Sequence, residues 1–248
     1  MPENVLFTNT RHKKLRGHLY LVIIMTHGFA RDKTAEKITK FSQDLNSIGF
    51  AVLAFDFSGC GESDNDTITV SKEIEDLHAA IRFVQSKGYS QIGLYGHSLG
   101  GFVCLSAYTP QVKTIAMTGG LTGPFNLRVA FTEAQLEDLK IKGTTIEPIT
   151  QGAYRSFVEV DQALISELEE ASQEKLLRTI KCPVLMIHGQ RDDVEKNLYE
   201  ISKTGKAYLP QSDSEIKVIP QATHSFEGFF DDVSDLLKEW FVQHMDVK

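Results

Sequence analysis

Gln91-Ile92-Gly93-Leu94-Tyr95-Gly96-His97-Ser98-Leu99-Gly100-Gly101-Phe102-Val103-Cys104 is the stretch whose reading decides how this chain folds. A short apolar run ends in a turn, and an apolar helical pattern starts at once. The turn has the form G-x-S-x-G, with Gly96 two residues before Ser98 and Gly100 two residues after it. Such a strand–serine–helix turn is so sharp that those two positions cannot carry a Cβ, and it lifts the serine hydroxyl clear of the backbone. The helix that follows presents unpaired amides to negative charge at the serine.

Outward from this turn, the chain repeats one rhythm of buried strand followed by amphipathic helix. Leu19–Thr26, Phe50–Phe55, Gln91–Tyr95, Val112–Thr118, Pro183–His188 and Glu215–Ile219 read as strands. Residues 34–48, 70–87 and 98–108 read as helices, and a last helix carries the stripe Val233, Leu236, Leu237, Trp240 and Phe241. Alternation of this kind predicts an α/β fold with a mostly parallel central sheet and helices on both faces. The rhythm breaks over residues 121–180, where helical patterns but no convincing strand are read, among them a helix opened by Thr132 and Gln135. Residues 1–248 therefore read as one domain, with 121–180 an inserted helical cap. The sequence leaves open whether the sheet begins with a hairpin before Leu19.

A serine needs a base. Of eight histidines, His224 falls in the loop between the last strand and the last helix. That is the loop that brings a base to the serine when the chain order is Ser, acid, His. His27 and His188 each precede a glycine at a strand end, where an orienting hydrogen bond is the usual role; His97 lies inside the turn and is directed away by it. The acid is expected after the strand Pro183–His188, in His188-Gly189-Gln190-Arg191-Asp192-Asp193. Asp192 has the better spacing, leaving Asp193 to cap the next helix. Two backbone amides are needed to receive the oxyanion, and those of Leu99 and of Phe29, in the His27-Gly28-Phe29 turn, are the candidates.

These motifs, with Asp56-Phe57-Ser58-Gly59-Cys60-Gly61-Glu62-Ser63 between them, fall in an order that resembles the α/β-hydrolase superfamily. The likeness is strongest to small bacterial esterases of the cinnamoyl/feruloyl and serine aminopeptidase-like group. It implies a serine hydrolase that cleaves a carboxylic ester through an acyl-enzyme, with Ser98 as nucleophile, His224 as base and Asp192 as acid. Amide or thioester hydrolysis uses the same machinery, and a ligand-binding protein on the same scaffold is the non-enzymatic alternative. Ser58 stands where relatives often carry Arg, and Leu99 where feruloyl-type relatives often carry Gln.

The remaining features exclude more than they assign. A net charge of −7 disfavours a nucleic-acid partner. Three cysteines without paired spacing, and no leader-like start, point to a reducing, cytoplasmic setting. No apolar run is long enough to span a membrane. Gly59-Cys60-Gly61 lacks the third glycine of a dinucleotide fingerprint, since Asp64 stands there, and no phosphate-binding loop or H-E-x-x-H pair is present. No metal and no cofactor are expected. The partner is a small-molecule ester, and a homodimer is one of the assemblies the sequence leaves open. Within the insertion, Phe125 and Phe131, with Leu121, Leu127 and Val129, are expected to line the substrate site, so that truncating the two phenylalanines alters substrate ranking and spares stability.

Overall fold

A computed structural model describes residues 3–8, 14–19, 21–149, 154–210 and 213–245. The chain opens with β1 (Glu3–Thr8) and β2 (Lys14–Leu19), paired antiparallel as a separate two-stranded sheet. The hairpin that the sequence left open is therefore present, and it splits the apolar run before Leu21. Then come β3 (Leu21–Thr26), α1 (Glu36–Ser47), β4 (Ala51–Ala54), β5 (Thr67–Ile68), α2 (Val70–Ser86), β6 (Gln91–His97), α3 (Leu99–Ser106) and β7 (Val112–Thr118). After the insertion follow β10 (Val184–Gly189), α7 (Asp193–Gly205), β11 (Glu215–Ile219) and α8 (Phe230–His244). The main sheet runs β11-β10-β7-β6-β3-β4, and every neighbouring pair in it is parallel.

Period-two alternation sorts the side chains of this sheet into two layers. Val22 and Ile24, Ile92 and Leu94, Ile115 and Met117, and Val184 and Met186 face α2 and α3. Ile23, Met25, Tyr95, Ala116, Leu185 and Ile187 face the stripes of α1 (Ile38, Phe41, Leu45) and α8 (Val233, Leu237, Trp240, Phe241). The continuous apolar runs in the sequence are the direct consequence of burial on both faces.

The insertion is not wholly helical, which corrects the expectation for residues 121–180. A 3₁₀ turn (Leu127–Ala130) leads to α4 (Glu133–Lys142), a hairpin of β8 (Thr144–Pro148) and β9 (Phe157–Asp161), then α5 (Gln162–Glu169) and α6 (Gln173–Arg178). β9 pairs antiparallel with β8 and parallel with β5, making a small second sheet. Val158 and Val160 point inward while Phe157 and Glu159 point out, an alternation short enough to pass unread among polar helices. The capping box of Thr132 and Gln135 forms as expected. Glu167 on α5 accepts the Val70 amide at 2.7 Å and so caps α2 from the insertion. Arg155 adds a second tie, donating from Nε to the Gly61 carbonyl at 2.8 Å.

Candidate active site

Ser98 sits at φ 54° and ψ −120°, between the end of β6 and the first turn of α3. Positive φ in a residue with a side chain is strained, and here neighbours hold it. The Ser98 amide donates to the Thr118 carbonyl at 3.0 Å, and the Gly101 amide donates to the Ser98 carbonyl at 3.0 Å. A Cβ on Gly96 would lie 2.5 Å from the Gly101 nitrogen, and one on Gly100 would lie 2.5 Å from the His27 carbonyl oxygen. Both glycines are required by lack of space.

His224 meets the serine. Its Nε2 lies 3.0 Å from Ser98 Oγ, with the hydroxyl placed to donate. Its Nδ1 donates to Glu195 Oε1 at 2.5 Å. This is the correction to the sequence reading, because Asp192 does not touch the imidazole. Asp192 is the N-cap of α7: its Oδ1 accepts the Glu195 amide at 2.8 Å and its Oδ2 accepts the His224 backbone amide at 2.7 Å. The two oxygens of Asp192 thus hold the start of α7 and the backbone of the His224 loop, while the ring nitrogen Nδ1 is met by Glu195. Three residues on, Glu195 points from the first turn into the interior and fills the place expected for the acid. Asp193, expected to be the cap, is solvent-facing and pairs only with Lys196 at 3.0 Å.

The Glu195 side chain is fully buried. Burial alone would raise its pKa. Hydrogen bonds from His188 and His224, and the attraction of those rings, override that and hold it down at about 2. Gly119 closes the other side of the pair. Its φ is +53°, and a Cβ there would overlap Glu195 Oε1 and sit 2.8 Å from His224 Nδ1.

The turn carrying Phe29 packs against the serine. A Cβ on Gly28 would lie 3.2 Å from His97 Cδ2 and 3.4 Å from Ser98 Cβ. His27 accepts the Phe57 amide on Nε2 at 3.3 Å, so its Nδ1 donates to the Gly28 carbonyl at 3.0 Å. In a trans peptide the carbonyl and the next N–H point opposite ways. Holding Gly28 O therefore aims the Phe29 amide. Burial lowers the pKa of His27 and keeps it in this neutral form. The Leu99 amide opens α3 and belongs to the set that a helix leaves without internal partners.

His97 is directed away from the hydroxyl, as the turn requires. Its Nδ1 meets the Thr118 carbonyl at 3.0 Å and its Nε2 meets Lys37 Nζ at 2.9 Å, while its ring lies 5.0 Å from that of His224. Burial first, then repulsion from Arg31, pulls the Lys37 amine down to about 7. Lys37 went unnoticed in the sequence because nothing marks one lysine on an amphipathic helix.

The insertion meets the site through a third apolar cluster, in which Leu121, Leu127 and Phe131 pack with Leu99 and Phe102. Phe131 is 8% exposed, with its ring edge-on to Phe29 at 5.9 Å. Phe125 is half-buried beside them. Val129, expected to line the site, is 75% exposed and points away. A cleft of about 640 Å³ on the insertion, between Arg128, Leu136 and Gln162, includes none of the serine, histidine or glutamate. Among the described residues no cluster of His, Cys, Asp and Glu is arranged to hold a metal ion, and no helix is long and apolar enough to cross a membrane.

Residues 23–236 match the model of the alpha/beta hydrolase family, a span that runs from β3 into α8 and takes in the serine, the histidine and the glutamate. The chain belongs to that family. Among curated proteins it is similar to the mitochondrial palmitoyl-protein thioesterase ABHD10 of Bos taurus, 28% identical over 199 residues, covering 75% of this chain. The match spans 61% of that relative's length. Among solved structures, Est1E from Butyrivibrio proteoclasticus with ferulic acid bound has a TM-score of 0.73 at 19% identity, covering 98% of this chain and 95% of the other. A monoacylglycerol lipase from Paleococcus ferrophilus has a TM-score of 0.72 at 18% identity, covering 98% and 99%. At these identities the structural likeness speaks for the alpha/beta hydrolase fold.

Proposed function

We propose that this hydrolase cleaves carboxylic esters with an apolar or aryl acyl group through an acyl-enzyme, using Ser98, His224 and Glu195. The observation that carries the reading is the unbroken line Ser98 Oγ, His224 Nε2, His224 Nδ1, Glu195 Oε1, with steps of 3.0 and 2.5 Å. His224 takes the hydroxyl proton as Ser98 attacks the carbonyl carbon, and the Glu195 carboxylate stabilises the imidazolium that results. The Phe29 and Leu99 amides receive the developing oxyanion. His224 then gives its proton to the leaving oxygen, and a water activated by the same imidazole releases the acid and restores the serine. Leu99, Phe102, Leu121 and Phe131 form a buried apolar cluster that starts at the residue after the serine, and half-buried Phe125 against it offers apolar surface to the acyl group. A second reading, hydrolysis of acyl thioesters, is favoured by the thioesterase activity in the name of the curated relative.

The test is a hydrolysis screen of purified protein over p-nitrophenyl esters of rising chain length, methyl ferulate and a palmitoyl thioester, with Ser98→Ala as the blank. Ester turnover at least several powers of ten above the Ser98→Ala blank is expected. Turnover surviving in Ser98→Ala would remove the nucleophile assignment, and turnover of the thioester alone would select the second reading.

A further inference from the structure

Glutamate has one more rotatable bond than the aspartate expected as the acid, so its carboxylate needs an additional constraint to stay on the imidazole. One is present. Glu195 Oε2, the oxygen turned away from His224, accepts the Gly189 amide at 2.8 Å and faces His188 Nδ1 at 3.3 Å. His188 is the last residue but one of β10 and is 0% exposed. Its other nitrogen, Nε2, lies 2.9 Å from Ser202 Oγ, and Ser202 Oγ lies 3.1 Å from Thr122 Oγ1. Ser202 and Thr122 are themselves 0% and 1% exposed. Ser202 lies on α7 seven residues after Glu195, two helical turns along the same face, and Thr122 stands at the root of the insertion.

The direction of these bonds follows from the acid. Glu195 is held ionised, so the imidazole nitrogen facing it must carry a proton. In the neutral ring Nε2 then accepts, which makes the Ser202 hydroxyl its donor and the Thr122 hydroxyl the donor to Ser202. Each hydroxyl has one proton, and each is used once. The buried chain Thr122, Ser202, His188, Glu195 thus has one consistent arrangement, and it continues through His224 to Ser98.

We infer that His188 is a positioning residue for the acid of the proposed triad: it clamps Glu195 Oε2, so that Oε1 and its charge stay on His224, and Ser202 and Thr122 fix the His188 tautomer. The inference rests on the triad reading above, and Glu195→Gln separates the two. If Glu195→Gln retains near wild-type turnover, the triad reading is wrong whatever His188 does.

The experiment compares kcat, KM and the pH profile of kcat/KM in full-length wild type, His188→Leu, His188→Asn and Ser202→Ala, with circular dichroism to establish folding. His188→Leu removes the donor, and kcat falls by about ten- to a hundredfold, the worth of one hydrogen bond to a charged group, while KM stays within about twofold. The acid limb of its profile moves to lower pH, because a carboxylate free to swing no longer stabilises the imidazolium; a packing role would not move that limb. His188→Asn, whose amide can donate from near the Nδ1 position, recovers most of the loss. Should the leucine variant fail to fold, Ser202→Ala carries the test. It touches neither Glu195 nor His224, frees the tautomer, and lowers kcat several-fold with the same direction of limb shift. Folded His188→Leu or Ser202→Ala with wild-type kcat and an unmoved limb overturns the inference, as does a loss that His188→Asn fails to rescue.

Discussion

Replacing Gly119 by alanine places one methyl group against the bond between the base and the acid, and its consequence can be worked out in advance. The methyl would overlap Glu195 Oε1 and lie 2.8 Å from His224 Nδ1 and 2.9 Å from Cε1. Ordinary contact needs about 3.5 Å, so the ring must retreat by roughly 0.7 Å or the carboxylate must turn away. Either movement breaks the alignment with Ser98 Oγ, and a misplacement near 1 Å can cost about a hundredfold in rate. Separately, φ of +53° costs an alanine about 1–2 kcal/mol. Gly143→Ala is the control, because Gly143 has φ +79° with nothing within 4 Å of a would-be Cβ. Gly143→Ala should lose about 1–2 kcal/mol in denaturant unfolding, and Gly119→Ala more than that, because the overlap adds to the backbone cost. Only Gly119→Ala should lose kcat, by about a hundredfold on a p-nitrophenyl ester. A folded Gly119→Ala enzyme within threefold of wild type would refute the reasoning.

Glu195→Gln keeps the shape of the acid and removes its charge, and should cost about 10²–10⁴ in kcat; Asp192→Asn, which loosens a helix cap, should cost under about tenfold in kcat and about 1 kcal/mol in stability. The opposite ranking in steady-state kinetics would return the role to Asp192. Phe131→Ala should destabilise by about 3–5 kcal/mol because its ring is buried against Phe29, whereas half-buried Phe125→Ala should shift the ranking among acyl groups at smaller cost. Melting curves and an ester panel distinguish these outcomes, and equal melting temperatures would contradict the packing described. Lys37 is pulled from 10.5 down to about 7 in the folded chain, so between those values the unfolded chain binds more protons and wild-type stability rises with pH. Lys37→Met should therefore raise the melting temperature most near about pH 6–7 and progressively less toward about pH 10; a gain independent of pH would contradict this.

The sheet and its two helical layers were legible in the sequence because burial on both faces writes long apolar runs, and the helix stripes beside them have a clear period. Val112–Thr118 and Glu215–Ile219 are strands over those same residues. The insertion was less legible. The alternation of Phe157, Val158, Glu159 and Val160 is only a few residues long, and its parallel partner Thr67–Ile68 lies far back in the chain, before α2. Ser98 and His224 could be found because a sharp turn and a loop of fixed place in the chain order mark them. The acid could not be fixed by counting from the strand, since the choice among Asp192, Asp193 and Glu195 depends on where α7 begins. Asp192-Asp193-Val194-Glu195 does carry the signal, an N-cap side chain with a glutamate three residues on. That pattern would send the glutamate back to the N-cap amide; in the fold only the Asp192 half of the cap forms, and the Glu195 carboxylate turns to His224 instead. Lys37 and the chain behind His188 join residues far apart in sequence, and only the fold brings them together.

The proposed chemistry requires that His224 activate Ser98, and the mass of the intact protein after brief exposure to a fluorophosphonate reads this directly. The expected result is one adduct per chain, mapped to Ser98, absent from Ser98→Ala and formed far more slowly in His224→Ala. An unlabelled wild-type protein, or an adduct that persists in Ser98→Ala, would contradict it.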